Sequence, residues 1–471
     1  MQHVSTRGEA PPLGFAEAML AGLARDGGLY VPQSWPRLEP AEIAAFAGRP
    51  YAEVAVDVIA RFVGDSIAAA DLARMVREAY GIFRHPAVAP ITQLGVNTFA
   101  LELFHGPTLA FKDLAMQLLA RLMDRVLAAR GERRTIVVAT SGDTGGAAVE
   151  AFRGTSQVDL VVLFPQGRIS DVQRRMMTTA QADNINAIAI DGTFDDCQAI
   201  VKGLFNHHAF ADRVRLSGVN SINWARIVAQ TVYYFTAAVA LGAPHRKVAF
   251  TVPTGNFGDI YAGYVALRLG LPIDRLVIAT NVNDILARTL ATGTYALREV
   301  VATTSPSMDI QVSSNFERLL FDAYDRDGSA IRALMGALAQ SRRFTLSAHA
   351  LAQIRAHFAA GRADEDEVAS TIRTVKRETG NFVDPHTAVG IAVAEKEPRD
   401  PAVPMVVLST AHAAKFPDAV EAACGVRPQL PEWLSDLDKR PERVTALPVD
   451  QSAVERFVLK TSRAAQEGAA A

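Results

Sequence analysis

Cysteine is nearly missing from this 471-residue chain, which has only Cys197 and Cys424. Two thiols cannot build a disulfide framework or a thiolate metal site, so a reducing compartment is expected. An excess of charge of one sign is missing too: 48 basic residues face 50 acidic ones, for a net charge of -2. That balance excludes the basic footprint of a nucleic-acid binder and leaves no charged tail for an electrostatic partner. No apolar run approaches the ~18 residues of a membrane span. No N-terminal segment joins basic residues, an apolar stretch and a cleavage site. No histidines stand at metal-ligand spacing, and no repeat has a solenoid period. The expectation is a soluble, cytoplasmic, globular protein with no metal, no nucleic acid and no membrane.

What is present is a chain 49% hydrophobic, enough for two or three domains. Residues 1–95 read as mainly helical ("FAEAMLAGLA", "YAEVAVDVIARFVG"), with the short apolar piece "GGLYVP" between the helices. From about residue 97 the rhythm changes. Nearly all-apolar runs alternate with amphipathic stretches: "TIVVA", "DLVVLF", "NAIAI", "KVAFTV", "RLVIA" and "PMVVLS". Such runs suit strands buried on both faces, so the fold class is α/β with mostly parallel sheets. Leu114, Leu118, Leu122 and Val126 recur every four residues and predict a helix after Lys112. Between about 315 and 395 helices dominate and strands nearly vanish. "AGRADEDEV", ending at Val368, reads as a solvated turn feeding a helix, and the tail "AAQEGAAA" reads as frayed.

Two strand–loop–helix junctions are rich in glycine. One holds Ser141, Gly142, Asp143, Thr144, Gly145 and Gly146; the other holds Gly255, Asn256, Phe257, Gly258 and Asp259. Converging backbone N–H groups and the following helix N-terminus make an anion cradle. Neither loop is G-x-x-x-x-G-K-[ST], so ordinary nucleotide hydrolysis is unsupported. Neither is G-x-G-x-x-G, and Asp159 begins its strand rather than ending it, which argues against NAD. Lys112 opens a helix beside Phe111. Helix dipole and partial burial both push its amine toward neutrality, as a Schiff-base lysine requires. Such a lysine with a phosphate cradle describes a pyridoxal 5′-phosphate site.

"HGPTLAFKD", "TSGDTGGA", "NSINWARI", "PTGNFGD" and "STAHAAKF", with the opening "STRGEAPPLGFAEAMLAGLARDGGLYVP", resemble threonine synthase of the N-terminally extended bacterial and fungal type. The resemblance implies PLP fold type II, similar to the tryptophan synthase β chain: two open, mostly parallel α/β domains with an N-terminal mainly helical segment. The expected divisions are a helical domain at 1–95, PLP-binding α/β domains at 96–310, a helical region at 311–400, and a strand with helices at 401–471 completing the PLP domain. Lys112 becomes the catalytic residue bonded to the cofactor. The amides of Gly255, Asn256, Phe257 and Gly258 become the cofactor's phosphate cup. Thr410, with Ser409 second, becomes the hydroxyl partner of the ring nitrogen. Ser141, Gly142 and Thr144 belong to the substrate-anion loop. Asp143 would repel an anion, so it is read as a helix cap or a residue that orients others. Asn223 and Arg226 are read as ligands of a substrate phosphate, with a structural salt bridge the other reading for Arg226.

The family pattern reads "STAHPAKF", and Ala413 stands here where proline is usual, which should loosen the turn. The implied reaction turns O-phospho-L-homoserine and water into L-threonine and phosphate, in a monomer or homodimer. The rivals are a threonine/serine dehydratase, a synthase-like phospholyase and a non-catalytic PLP-binding regulator. His105 and His412 are expected to be structural. Asp284 and Asp309 read as caps or salt-bridge partners. Asn281 and Asn283, just after a strand, stand where parallel sheets place their sites. The Met176–Met177 pair reads as core.

Overall fold

A computed structural model describes residues 1–470. Its frame is two sheets. The first has six strands in the spatial order Phe358–Arg362, Ile273–Thr280, Val248–Pro253, Met405–Ser409, Thr98–Glu102 and Ile91–Gly95. All neighbours are parallel except the last pair. The second has five parallel strands, in the order Thr445–Leu447, Ile185–Ile190, Val158–Pro165, Arg134–Ala139 and Leu216–Ser217. The six apolar runs read from the sequence are all strands here. Those of Val158–Pro165, Val248–Pro253 and Met405–Ser409 are buried at every residue. Helices pack on both faces, so these strands are mostly apolar, and the few polar residues on them are paired: Asp159, for example, holds Arg463 at 2.7 Å.

Parallel strands bring their C-terminal ends to one edge, and loops leaving that edge form the cleft. From the first sheet come the loops after Glu102, Pro253, Thr280 and Ser409. From the second comes the loop after Ala139.

The N-terminal portion holds helices Phe15–Ala21, Pro40–Ala44, Tyr51–Val63 and Ala69–Tyr80. "GGLYVP" contributes the strand Tyr30–Pro32, which pairs with Gln2–Ser5. This portion closes on Trp224, a fully buried residue whose ring lies 5.8 Å from His3 and 5.8 Å from Phe62.

Two expectations are corrected. "AGRADEDEV" is not all turn: Phe358–Arg362 is a strand on the edge of the six-stranded sheet, and Asp364 caps the helix Glu365–Thr379. Gly361 made it look like a turn. A Cβ there would meet Val393 Cγ1 at 2.8 Å, so the glycine lets a helix lie close on the strand. The tail is helical over Arg463–Ala470, with Ala464 and Ala465 buried, and residue 471 lies outside the described residues. The C-terminal stretch also divides between the sheets. Met405–Ser409 is interior to the first sheet, and Thr445–Leu447 edges the second.

Candidate active site

The turn before Lys112 is held from both sides. Asp113 accepts from the Thr108 amide at 2.8 Å and from the Thr108 hydroxyl at 2.6 Å. A Cβ on Gly106 would lie 2.5 Å from Asp113 Oδ2, so only glycine fits beneath that carboxylate. Leu109 takes φ +59°, a costly value for a non-glycine residue. The amides of Phe111 and His412 donate to the carbonyls of Thr410 and Leu109, at 2.9 and 3.0 Å. The lysine turn and the loop carrying Thr410 are therefore one hydrogen-bonded unit.

Lys112 opens the helix Lys112–Arg130 and is 9% exposed. Its Nζ lies 3.3 Å from Asp143 Oδ2 and 4.6 Å from the centroid of the Phe111 ring. Burial lowers its pKa, Asp143 opposes that, and the charges of Lys415 and Arg226 lower it further. The direction is the one the sequence predicts, and burial, one of its two predicted causes, is the largest; the charges of Lys415 and Arg226 were not foreseen. The Phe111 ring attracts an ammonium rather than disfavouring it.

Asp143 does not cap its helix. Gly142 is the N-cap, and the Asp143 carboxylate turns to the two amines. It holds Lys415 Nζ at 2.7 Å, accepts from Gln173 Nε2 at 3.0 Å and reaches Lys112. These partners keep it ionised far below the usual carboxylate range despite its burial. Lys415 is fully buried and also donates to the Thr108 carbonyl at 2.8 Å. Sequence reading missed Lys415, although it stands inside the quoted "STAHAAKF".

In the loop after Ala139, the Thr140 hydroxyl accepts from the amides of Gly142 and Gly145, both at 2.9 Å. The Gly142 amide is thus spent, which corrects its reading as a ligand donor. Its contribution is a backbone at φ +129°, with the Gln173 side chain where a Cβ would stand. The hydroxyls of Ser141 and Thr144 have no protein hydrogen-bond partner among the described residues, and Asp143 and Thr144 are the first two residues of the helix Asp143–Phe152. Their amides precede any intrahelical bond and remain available.

The second glycine loop follows Val248–Pro253 and enters the helix Gly258–Arg268. Among the described residues, the amides of Gly255, Asn256, Phe257 and Gly258 donate to no protein group. Their carbonyls point away and are tied down. The Ser313 hydroxyl donates to the Gly255 carbonyl at 2.6 Å, and Asn315 Nδ2 donates to the Asn256 carbonyl at 2.8 Å. Phe257 takes φ +64°, which turns successive N–H groups to the same side. A Cβ on Gly255 would stand 2.5 Å from the Ser307 carbonyl oxygen. The Ser307 amide in turn donates to His386 Nε2 at 3.2 Å, and His386 Nδ1 lies 2.7 Å from Asp384.

Four neighbouring groups complete the region. The Thr410 hydroxyl is free of protein partners among the described residues. The Ser409 hydroxyl lies 3.1 Å from Thr387 Oγ1, which donates to Asp384. Arg226 is 2% exposed, with Nη1 on the Val219 carbonyl at 3.1 Å and Nε without a partner. No carboxylate pairs with it among the described residues, so the salt-bridge alternative fails. Burial lowers its pKa to about 10. Asn223 is corrected: its Oδ1 caps the helix Trp224–Ala240, and its Nδ2 donates to the carbonyls of Met19 and Gly218. Nothing on that side chain is left for a ligand.

Further out, Asn281 and Asn283 clasp Asp309 at 2.8 and 3.0 Å, while Asp284 pairs with Arg288 at 2.7 Å. Ala413 opens a short 3-10 turn whose N-cap is His412, so the turn keeps its shape without proline.

A buried lysine and a nest of free amides, on loops leaving the same edge of the first sheet, fit pyridoxal phosphate, whose aldehyde bonds an amine and whose phosphate seeks N–H donors. Fold and site together define a pyridoxal-phosphate-dependent enzyme, and residues 82–411 match the family model described as "Pyridoxal-phosphate dependent enzyme". Residues 2–80 match "Threonine synthase N terminus", and residues 387–458 match "Threonine synthase, C-terminal". The chain is 52% identical over 459 residues to the threonine synthase of Pseudomonas aeruginosa, covering 97% of this chain and 98% of that one. A crystal structure of PLP-bound threonine synthase from Brucella melitensis superposes with TM-score 0.96 at 61% identity, covering 98% and 100% of the two chains. The yeast threonine synthase structure gives 0.92 at 36% identity, covering 98% of each. The chain belongs to the threonine synthase family.

Proposed function

We propose that the chain converts O-phospho-L-homoserine and water into L-threonine and phosphate, with Lys112 as its catalytic residue. One observation carries the assignment of the site: buried Lys112 and Lys415 both pair with the ionised carboxylate of Asp143, and the charge of buried Arg226, which pairs with no carboxylate among the described residues, acts on Lys112. That imbalance suits a substrate bearing a dianionic phosphate.

Pyridoxal phosphate, when bound, supplies the electron sink that stabilises negative charge at the substrate's Cα. The chain supplies the rest. Lys112 holds the cofactor covalently and, once released, takes the Cα proton and later returns one. The amides of Gly255, Asn256, Phe257 and Gly258 hold the cofactor's phosphate. Thr410 offers its hydroxyl proton to the ring nitrogen. It is preferred over Ser409, whose proton is directed to Thr387 because Thr387 gives its own to Asp384. Ser141, Thr144 and the amides of Asp143 and Thr144 receive a substrate anion, and Arg226 supplies charge for the departing phosphate. Asp143, neutralised by Lys415, steadies Lys112 without expelling the anion. A cytoplasmic location goes with this reading, supported by two free thiols.

Lys112→Ala is expected to lose the visible absorbance of the lysine-bound cofactor and nearly all turnover; an unchanged spectrum refutes the assignment. Product analysis of the wild-type chain separates the chemistries. Phosphate released with threonine supports the synthase, and an oxo acid in its place overturns it.

A further inference from the structure

A cavity of about 540 Å³ opens on the far side of the first sheet from the cleft, lined by Ser34, Trp35, Arg37, Arg268, Arg326 and His357 among others. His357 precedes the N-terminal end of the strand Phe358–Arg362, and Arg268 ends the helix whose first residue is Gly258 of the cup. Eleven residues of helix place the two sites about 15 Å apart.

The arginines here are held in place. The Arg268 guanidinium lies 5.6 Å from the Trp35 ring and 5.8 Å from the Tyr264 ring, and its Nη1 donates to the Tyr264 hydroxyl at 3.0 Å. Arg326 lies 5.1 Å from the Phe321 ring and donates to the Pro32 carbonyl. Behind both stands one carboxylate, Asp322, at 4.0 Å from Arg268 and 3.8 Å from Arg326. Asp322 also takes hydrogen bonds from Trp35 Nε1 and the Tyr264 hydroxyl. Arg37 has no partner among the described residues. Two guanidinium groups thus share one carboxylate and a third pairs with none among the described residues, so three positive charges face one negative charge and the cavity keeps two in excess. Burial and the neighbouring Arg268 hold His357 below its ordinary pKa, so it faces the cavity as a neutral donor or acceptor.

We propose that this cavity binds the phosphate group of a small phosphorylated metabolite, at a site separate from the catalytic cleft. Arginine forks match phosphate oxygens, and two surplus charges match a phosphate dianion. The space exceeds a bare ion and lies in the range of small-molecule sites. Trp35 and Leu267 offer an apolar wall for the organic part.

The test titrates cofactor-loaded enzyme with phenyl phosphate and, separately, inorganic phosphate, by calorimetry and tryptophan fluorescence. The cofactor's absorbance reports the cleft independently. Phenyl phosphate should change the fluorescence, bind more tightly than inorganic phosphate, and weaken about tenfold or more in Arg268→Gln and in Arg37→Gln, each having lost a charged donor. Arg37 is exposed, so that variant keeps its fold, and its turnover without added probe should match wild type. In Trp35→Phe the fluorescence response should vanish while the calorimetric binding stays. Binding that both arginine variants leave unchanged overturns the site. Equal or tighter binding of inorganic phosphate overturns the organic part of the ligand.

Discussion

Asp143 and Lys415 act on Lys112 with opposite signs, and that opposition can be read as pH dependence. Lys415 lowers the Lys112 pKa and Asp143 raises it. Lys415→Gln should therefore raise the Lys112 pKa, and the acid limb of kcat/KM should move to higher pH. Asp143→Asn should move it to lower pH. It should also cost about 3–5 kcal/mol of stability, because a buried ammonium loses its counter-charge. pH–rate profiles of the two variants check the signs, and shifts in the same direction would defeat the account. At this scale the sequence told half the story. Lys112 was legible from its place at a helix start beside an aromatic, within a motif. Lys415 was not, because only the folded chain brings residues 112, 143 and 415 into one buried cluster. Asn223 misled for a related reason: an asparagine at a helix start can serve a ligand or the helix itself, and here it serves the helix.

Among elements, the loop 254–257 is the most exacting. Gly255 has a backbone carbonyl where a side chain would go, and a carbonyl cannot swing aside. With 255–258 as the proposed holders of the cofactor's phosphate, Gly255→Ala should push that loop out of register and weaken cofactor retention about tenfold or more, measured by following cofactor release. The 3-10 turn at Ala413–Lys415 invites the opposite change. His412 holds φ -73° and ψ 137°, an extended conformation that accepts a following proline, and the Ala413 amide donates to no protein group among the described residues. Ala413→Pro should add about 0.4–1 kcal/mol by stiffening the unfolded chain, read as a higher midpoint in denaturant. Strands buried on both faces announced themselves as apolar runs. Phe358–Arg362 did not, since an edge strand of five residues with a glycine and an arginine has no such run. Its pairing with Ile273–Thr280 joins residues 82 apart along the chain, as Leu276 with Phe358.

For the molecule as a whole, the N-terminal portion carries a pH liability. His3 is fully buried, and burial pushes its pKa down to about 4, against a backbone contact to Leu13 and in concert with the charge of Arg318. The unfolded chain takes up a proton near pH 6.5 and the folded one only near 4. This histidine's contribution is therefore complete above about pH 6.5 and lost as the pH falls through 4, a change of about 3 kcal/mol. His3→Leu should flatten that part of the stability curve, measured by denaturant unfolding from pH 7 to pH 4. The helices of residues 1–95 were visible from their periodicity, but their packing against Trp224 was not. Arg318 shows what that packing entails. Its guanidinium, fully enclosed, makes no ion pair among the described residues; it is braced by the carbonyls of Tyr30 and Ile222 and by Asn315, the residue that also grips the Asn256 carbonyl. Excising the opening eighty residues would therefore not yield a pared-down catalyst. It would unmoor the anchor beneath the loop at 255–258 and bare an aromatic flank to water, so the machinery and its leading arm must be made, and kept, as one piece.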